Sequence, residues 1–143
     1  MDIITGLQKG TYILLLKLPE PGTIQVGKFG EFNFPAGYYA YVGSAFGPGG
    51  LAGRLSHHFK MSERPHWHID YLRRHAQIEQ VWFEKGEIKQ EHEWADTLAN
   101  LPGSQILVPG FGCSDCDCQS HLFYFEEMPR MEEYLQINGS LTI

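Results

Sequence analysis

An arginine and a histidine at helical spacing are well suited to chemistry on a charged substrate. Arg54 and His58 occupy positions i and i+4 of a segment whose apolar residues recur at helical spacing, so both side chains share one face. An arginine can stabilise charge on a phosphate in its transition state, and a histidine can transfer protons near neutral pH. The alternative role for this pair is a solvated flank of the helix.

A glutamate further along the chain is a candidate metal ligand. Glu91 opens a predicted helix and shares a face with Ala95 and Leu98, so its carboxylate is directed toward the body of the protein. A carboxylate in that position needs a partner, and a divalent cation such as Mg²⁺ or Mn²⁺ is one that supplies function. The alternative is a negative charge that is favourable at the N-terminus of a helix.

Two tyrosines lie on predicted strands that we expect to be neighbours, Tyr12 and Tyr41. Strand tyrosines usually pack their rings and leave the hydroxyl wet, so packing is the alternative role for each. The loop at residues 43–50 contains four glycines, which allow close approach of the backbone. It is not a phosphate-binding P-loop, because no Gly-Lys-Ser/Thr follows the glycines.

Three cysteines and a histidine form a cluster of soft ligands late in the chain: Cys113, Cys116, Cys118 and His121. Such close spacing argues against a disulfide framework. Zinc accepts these ligands, but structural zinc sites usually draw on two separated pairs. The favoured interpretation is a turn whose thiols pack as small hydrophobic groups. A zinc site, or a regulatory function based on the thiols, is the alternative.

The composition is that of a globular protein with an acidic balance. The chain has 143 residues and a formal net charge of −6, which fits a single domain over residues 1–143. A negative net charge opposes non-specific binding of nucleic acid, which depends on neutralising phosphates. Between residues 51 and 75, however, five Lys or Arg accompany two acids, which is compatible with brief, salt-sensitive binding of a polyanion.

The sequence also limits where the protein is expected to act. No apolar run approaches the roughly 20 residues that span a bilayer. The N-terminus lacks the basic and apolar regions of a secretory signal. We therefore expect a cytoplasmic protein with no membrane partner.

Hydrophobic periodicity predicts the elements that position these side chains. Strands are predicted at residues 11–18, 37–42, 78–83, 106–108 and 122–125, and a hairpin at about residues 22–36. Helices are predicted at residues 51–59, 67–75, 91–101 and 131–136. The predicted fold class is α+β, with a small, mostly antiparallel sheet flanked by helices and an inserted hairpin between the two tyrosine strands.

Several short sequence motifs follow one another in a characteristic order between residues 10 and 125. They are Gly10-Thr11-Tyr12, Tyr39-Ala40-Tyr41-Val42-Gly43-Ser44-Ala45, Arg54 with His58, Trp67-His68-Ile69-Asp70-Tyr71-Leu72, Glu91, Gly110-Phe111-Gly112, and Ser114-Asp115-Cys116 with Cys118 through His121-Leu122-Phe123. In this order the sequence resembles the GIY-YIG nuclease superfamily, and more closely its branch of domains of unknown function. The predicted hairpin makes the interval between the two tyrosines longer than the family's usual spacing.

The resemblance implies metal-dependent hydrolysis of phosphodiester bonds in nucleic acid, with DNA repair or processing as the expected setting. Tyr12 and Tyr41 would line the site, and one of them would help to deprotonate the attacking water. Arg54 would stabilise the transition-state charge, and His58 would assist proton transfer or position the phosphate. Glu91 would hold Mg²⁺ or Mn²⁺. The alternative is a non-catalytic module that binds nucleic acid and retains the fold.

Overall fold

The computed structural model describes residues 8–60, 63–113, 119–131 and 139–142. The strands are β1 (Gly10–Leu18), β2 (Gly22–Val26), β3 (Gly30–Phe34), β4 (Gly37–Ala45), β5 (Gln77–Lys85), β6 (Leu122–Phe125) and β7 (Gly139–Thr142). Five of them form an antiparallel sheet in the order β6-β4-β1-β5-β7, and β2 pairs with β3 separately. The predicted α+β class with an antiparallel sheet is therefore confirmed.

Three helices flank the sheet: α1 (Gly50–Lys60), α2 (His68–Arg73) and α3 (Glu91–Ala99). Apolar residues on one side of β1, such as Leu14, pack in the same cluster as residues of α1 and α2. Residues on its other side, such as Ile13, pack with Trp94 and Leu98 of α3. Cover on both faces explains why β1 is a continuous apolar run rather than an alternating one. Among the described residues, no helix is long and apolar enough to cross a bilayer.

The predicted hairpin is present as β2 and β3, joined by a short 3-10 turn at Gly27–Phe29. The turn packs against α2, where the ring of Phe29 stacks on the ring of His68 at a centroid distance of 4.5 Å. Gly27 has a positive φ of 50°, and an added Cβ would lie 2.9 Å from the Tyr71 hydroxyl. The insertion is therefore fixed on the α2 side of the molecule.

Two strand assignments differ from the sequence prediction. The strand predicted at residues 106–108 is wrong, since these residues form no strand and only the preceding Gln105 makes an isolated bridge, with Tyr124. Turn residues on both sides, including Gly103 and Gly110 with positive φ, leave too short a run for a strand. The strand β7 was not predicted. The helix predicted at residues 131–136 lies outside the described residues apart from Met131, which is buried.

Candidate functional site

An open cleft of about 460 Å³ lies between β4, α1 and the start of α3. Three of the five predicted site residues line it, namely Tyr41, Arg54 and Glu91. The other residues lining the cleft are Gly43, Ser44, Phe46, Gly47, Trp67, Lys89, His92, Gly112 and His121. Residues from five separate parts of the chain therefore meet around one concave surface, which is the usual form of a ligand site.

The Arg–His pair enters this site from α1. Gly49 and Gly50 have φ angles of 90° and 59°, a conformation that favours glycine and that turns the chain from β4 into the helix. Arg54 reaches the cleft, whereas His58, one turn later, is buried with 1% of its surface exposed. The helix therefore places one member of the pair at the cleft and the other behind it, and the pair is not a solvated flank.

Tyr12 lies behind the cleft rather than in it. Its side chain is fully buried, and its hydroxyl oxygen is 2.7 Å from Nε2 of His58. Burial raises the pKa of Tyr12 well above its ordinary value, and the neighbouring Tyr41 raises it further, while the charge and hydrogen bonding of Arg54 lower it. Tyr12 is therefore a neutral phenol that contacts the cleft through its neighbours.

Tyr41 is the tyrosine that lines the cleft, although only 7% of its surface is exposed. Burial raises its pKa strongly, the Glu91 carboxylate raises it further, and Arg54 opposes them. Tyr41 is therefore protonated near neutral pH in the protein as it stands. A role as a base would need additional positive charge beside it.

Trp67, which sequence reasoning did not single out as a site residue, holds Arg54 in place. The guanidinium carbon of Arg54 lies 4.3 Å from the centre of the Trp67 ring, within the range of a cation–π interaction. This contact orients a flexible cation on the wall of the cleft. The only sequence signal was its place in a stretch shared with the resembled family.

Glu91 begins α3, as predicted, and its side chain retains 21% exposure at the cleft. Its carboxylate oxygen lies 3.7 Å from Nδ1 of His121. That same nitrogen is 3.2 Å from the carbonyl oxygen of Val42, so one histidine bridges β4 and the start of α3. Glu91 is therefore held at the cleft by a specific neighbour and remains accessible.

Asp70 is a second residue that sequence reasoning left without a role. It is buried, and its Oδ2 accepts bonds from His57 Nε2 at 3.0 Å and from the backbone N–H groups of His66 at 2.8 Å and Trp67 at 2.9 Å. Burial raises the pKa of Asp70, but these hydrogen bonds outweigh it and leave the pKa below its ordinary value. An acid early in a helix usually caps backbone amides, so its spacing alone did not distinguish it.

The model of the family described as Domain of unknown function DUF123 matches residues 11–141. This chain belongs to that family. The matched range includes every residue that lines the cleft. No curated protein and no solved structure gives a significant match.

One carboxylate, that of Glu91, lines the cleft of this DUF123 domain and could hold a hard divalent cation. Within the described ranges, no group of three or more His, Cys, Asp or Glu residues is arranged to hold a metal. Mg²⁺, however, keeps several waters and commonly binds through one or two carboxylates. Glu91, partly exposed beside open space, meets that requirement.

The cysteine cluster of the DUF123 domain is described only in part. Cys116 and Cys118 lie outside the described residues. Sγ of Cys113 lies 3.6 Å from the carbonyl oxygen of Phe111, and His121 faces Glu91. Of the four residues in this cluster, His121 therefore lines the cleft.

The buried His58 predicts a pH dependence of stability. Burial lowers its pKa to about 3 from its ordinary value of 6.5, against the raising effect of Asp70. Across that window the unfolded chain binds a proton that the folded chain does not, so stability falls as pH falls, by up to about 1.4 kcal/mol per pH unit.

Urea unfolding between neutral pH and about pH 5 measures this slope. We expect His58→Gln to lose the contribution, while His75→Gln, at an exposed histidine, keeps it. An unchanged slope in His58→Gln would show that His58 is not the group responsible.

Proposed function

We propose that this DUF123 domain hydrolyses phosphodiester bonds of nucleic acid, and of DNA in particular, with the help of Mg²⁺ or Mn²⁺. The observation that carries the proposal is the convergence of Tyr41, Arg54 and Glu91 on one open cleft. A resemblance to the GIY-YIG superfamily, based on the order of its motifs, supports the same activity. Cytoplasmic DNA repair or processing is the setting that we propose.

Each cleft residue has a role that follows from its chemistry. Arg54 donates hydrogen bonds to phosphate oxygens and stabilises the charge that develops on them. Tyr41, as a neutral phenol, donates a hydrogen bond that orients the attacking water or a phosphate oxygen. Glu91 would hold the divalent cation, which when bound supplies positive charge and activates water.

Tyr12 and His58 act from behind the cleft in this proposal. Both are buried, and the 2.7 Å contact between them leaves the Tyr12 hydroxyl next to Arg54. They position the guanidinium rather than touch the substrate. Their role therefore differs from the direct one that the family resemblance implies.

Two pairs of a cation and an aromatic ring line the cleft. Arg54 lies against Trp67, and Nζ of Lys89 lies 5.5 Å from the centre of the Phe46 ring. Proteins that bind single-stranded nucleic acid stack bases on aromatic rings and place cations near the phosphates. We therefore propose that the substrate presents an unpaired nucleotide to the cleft, despite the acidic net charge of the chain.

Lys89 gives a specific test of this contact. We expect Lys89→Ala to weaken binding of single-stranded DNA and to reduce the slope of log K against log salt by about 1, because one phosphate contact is lost. The control is Lys85→Ala, at an exposed lysine that does not line the cleft. Binding titrations over a range of salt concentrations measure the slope, and equal slopes for both variants would contradict the assignment.

A non-catalytic nucleic-acid-binding module is the second candidate. The observation in its favour is that Tyr12 and Tyr41 both have raised pKa values, so neither is a ready base. Such a module would use the same cleft and the same cations. It predicts binding that weakens with salt and no cleavage with any metal.

The deciding experiment is a cleavage assay on flapped, branched and single-stranded DNA, with matched RNA strands, in Mg²⁺, in Mn²⁺ and in chelator. Strand scission that requires the metal supports the nuclease. Salt-dependent binding without scission supports the binding module. Neither binding nor scission on any of these substrates would overturn both proposals.

A further inference from the structure

A chain of polar groups leads from Asp70 to the cleft. Oδ1 of Asp70 is 4.0 Å from Nδ1 of His58, and Nε2 of His58 is 2.7 Å from the Tyr12 hydroxyl. The hydroxyl in turn interacts with Arg54, which lines the cleft. These four residues come from α2, α1, β1 and α1 respectively, so only the folded chain aligns them.

The weak point in this chain is Nδ1 of His58. Within the described part of the chain this buried atom has no hydrogen-bond partner. Buried polar atoms are rarely left unpaired, and each exception calls for an explanation. The group that faces it is the Asp70 carboxylate, whose other oxygen already accepts three bonds.

The Asp70 end of the chain favours one tautomer of His58. A carboxylate can only accept hydrogen bonds, and Asp70 is held in the ionised form by its donors. An N–H at Nδ1 would face that negative charge favourably, whereas a lone pair at Nδ1 would be repelled. The negative charge on Oδ1, which lies 4.0 Å from this nitrogen, therefore selects protonation at Nδ1.

The Arg54 end of the chain favours the same tautomer. Arg54 lies close enough for its positive charge to act on the Tyr12 hydroxyl, and a guanidinium only donates, so it favours the orientation in which the Tyr12 oxygen turns its lone pairs toward Arg54. The hydroxyl proton of Tyr12 is then left to point at His58, which requires a lone pair at Nε2. Because burial keeps His58 neutral, one nitrogen carries the proton, and both ends of the chain assign it to Nδ1.

We propose that Asp70 is a positioning residue that holds His58 in its Nδ1-protonated tautomer, so that Tyr12 donates to His58 and presents its lone pairs to Arg54. Asp70 thereby sets the direction of the Tyr12–His58 hydrogen bond behind the cleft. The structural part of this inference stands without any enzymatic activity. Its consequence for cleavage rests on the proposed nuclease function.

Asp70→Asn is a substitution that inverts this direction while keeping the local fold. The amide oxygen of asparagine can replace Oδ2 and accept the same bonds from His57, His66 and Trp67. The amide NH₂ then replaces Oδ1 and faces Nδ1 of His58 as a donor. His58 is thereby driven to the Nε2-protonated tautomer, which donates a hydrogen bond to the Tyr12 oxygen. The hydroxyl proton of Tyr12 must then point toward the positively charged Arg54, which is unfavourable.

The tautomer is measured directly in the full chain by long-range ¹H–¹⁵N correlation spectra of its histidines, with His58 assigned through His58→Gln. We expect the wild-type protein to show a protonated Nδ1 and an unprotonated Nε2 at neutral pH. A protonated Nε2 in the wild type would overturn the proposal, whatever the variants do.

Two variants extend the test. Asp70→Asn should move the proton to Nε2, whereas His57→Gln, which changes a different partner of the carboxylate, should leave it on Nδ1. An unchanged tautomer in a folded Asp70→Asn protein would also overturn the proposal. If that variant does not fold, the wild-type spectrum and Tyr12→Phe, which keeps Asp70 and should keep Nδ1 protonated, still decide it.

The rate of DNA cleavage provides a separate test of the role of Asp70. If the wild type cleaves DNA, Asp70→Asn should lower kcat by about 10²-fold with little change in DNA affinity, because the Arg54 guanidinium would lose its correct position in the transition state. A normal kcat with an inverted tautomer would remove Asp70 from the mechanism. Absence of cleavage by the wild type would contradict the proposed nuclease function but not the proposed tautomer of His58, because the NMR spectra do not depend on cleavage.

Discussion

Glu91→Gln and Arg54→Ala each lower the rate of DNA cleavage by about 10²–10³-fold or more, if the cleft is the site of phosphodiester hydrolysis. Glutamine keeps the size and polarity of Glu91 but removes the charge that would hold a divalent cation. Alanine removes the cation that would face a bound phosphate and leaves the Trp67 ring without its partner. Single-turnover cleavage of a flapped substrate in saturating Mg²⁺ measures both effects.

Matched controls separate these effects from a general loss of charge. Glu93 lies on the same helix as Glu91 but is exposed and does not line the cleft, so Glu93→Gln should cleave normally. Lys60 ends the helix that carries Arg54 and is also exposed, so Lys60→Ala should be near normal. Equal rates in the wild type, Glu91→Gln and Arg54→Ala would refute the assignment of this cleft.

The metal assignment has an independent measurement. A cation that binds the folded chain raises its stability as the concentration exceeds the dissociation constant. Mn²⁺ should therefore raise the Tm of the wild type and of Glu93→Gln but not that of Glu91→Gln. A Tm increase that survives in Glu91→Gln would place the cation elsewhere.

Gly43→Ala is expected to destabilise the fold by about 1–3 kcal/mol through overpacking. The pairing of β1 with β4 sets Gly43 directly opposite Tyr12, and a Cβ there would overlap the Tyr12 ring and its hydroxyl. The displaced ring would also lose its contact with His58, so cleavage should fall together with stability. Urea unfolding measures the first effect and single-turnover cleavage the second.

Gly53→Ala provides the contrast for this substitution. Gly53 is exposed within α1, and an added Cβ would meet nothing within 4 Å, so alanine should stabilise the protein by about 0.5–1 kcal/mol. The cost of Gly43→Ala should also shrink in the background of Tyr12→Leu, because the two positions are in contact. Strictly additive free energies in the double variant would show that the Tyr12 ring is not the cause.

Local pattern was sufficient for many of the elements. The apolar run of β1, the turn residues of the hairpin and the helical spacing of apolar residues in α1 each predicted their element, and Glu91 was correctly expected to open α3. The prediction failed at residues 106–108, where turn residues on both sides leave too short a run for a strand and only the neighbouring Gln105 makes a bridge. It also missed β7, whose pairing with β5 joins residues about sixty positions apart.

The sequence named residues that come together in the fold, but it did not show which of them line the cleft and which lie buried behind it. Spacing placed Arg54 and His58 on one helix face, yet it could not show that the first would reach the cleft and the second would be buried. Trp67 and Asp70 acquired roles only through contacts with α1. Neither residue type nor local spacing carries information about such contacts.

The sequence by itself determined which chemical groups are available and which elements carry them, because helix and strand periodicity and turn chemistry act over a few residues. The tertiary structure decided which of those groups face open space and which support them from behind. The Tyr12–His58 bond joins residues 46 positions apart, and its burial depends on the packing of β1, β4 and α1 together. Burial and the direction of hydrogen bonds are properties of the assembled fold, so the division between cleft residues and positioning residues arises only there.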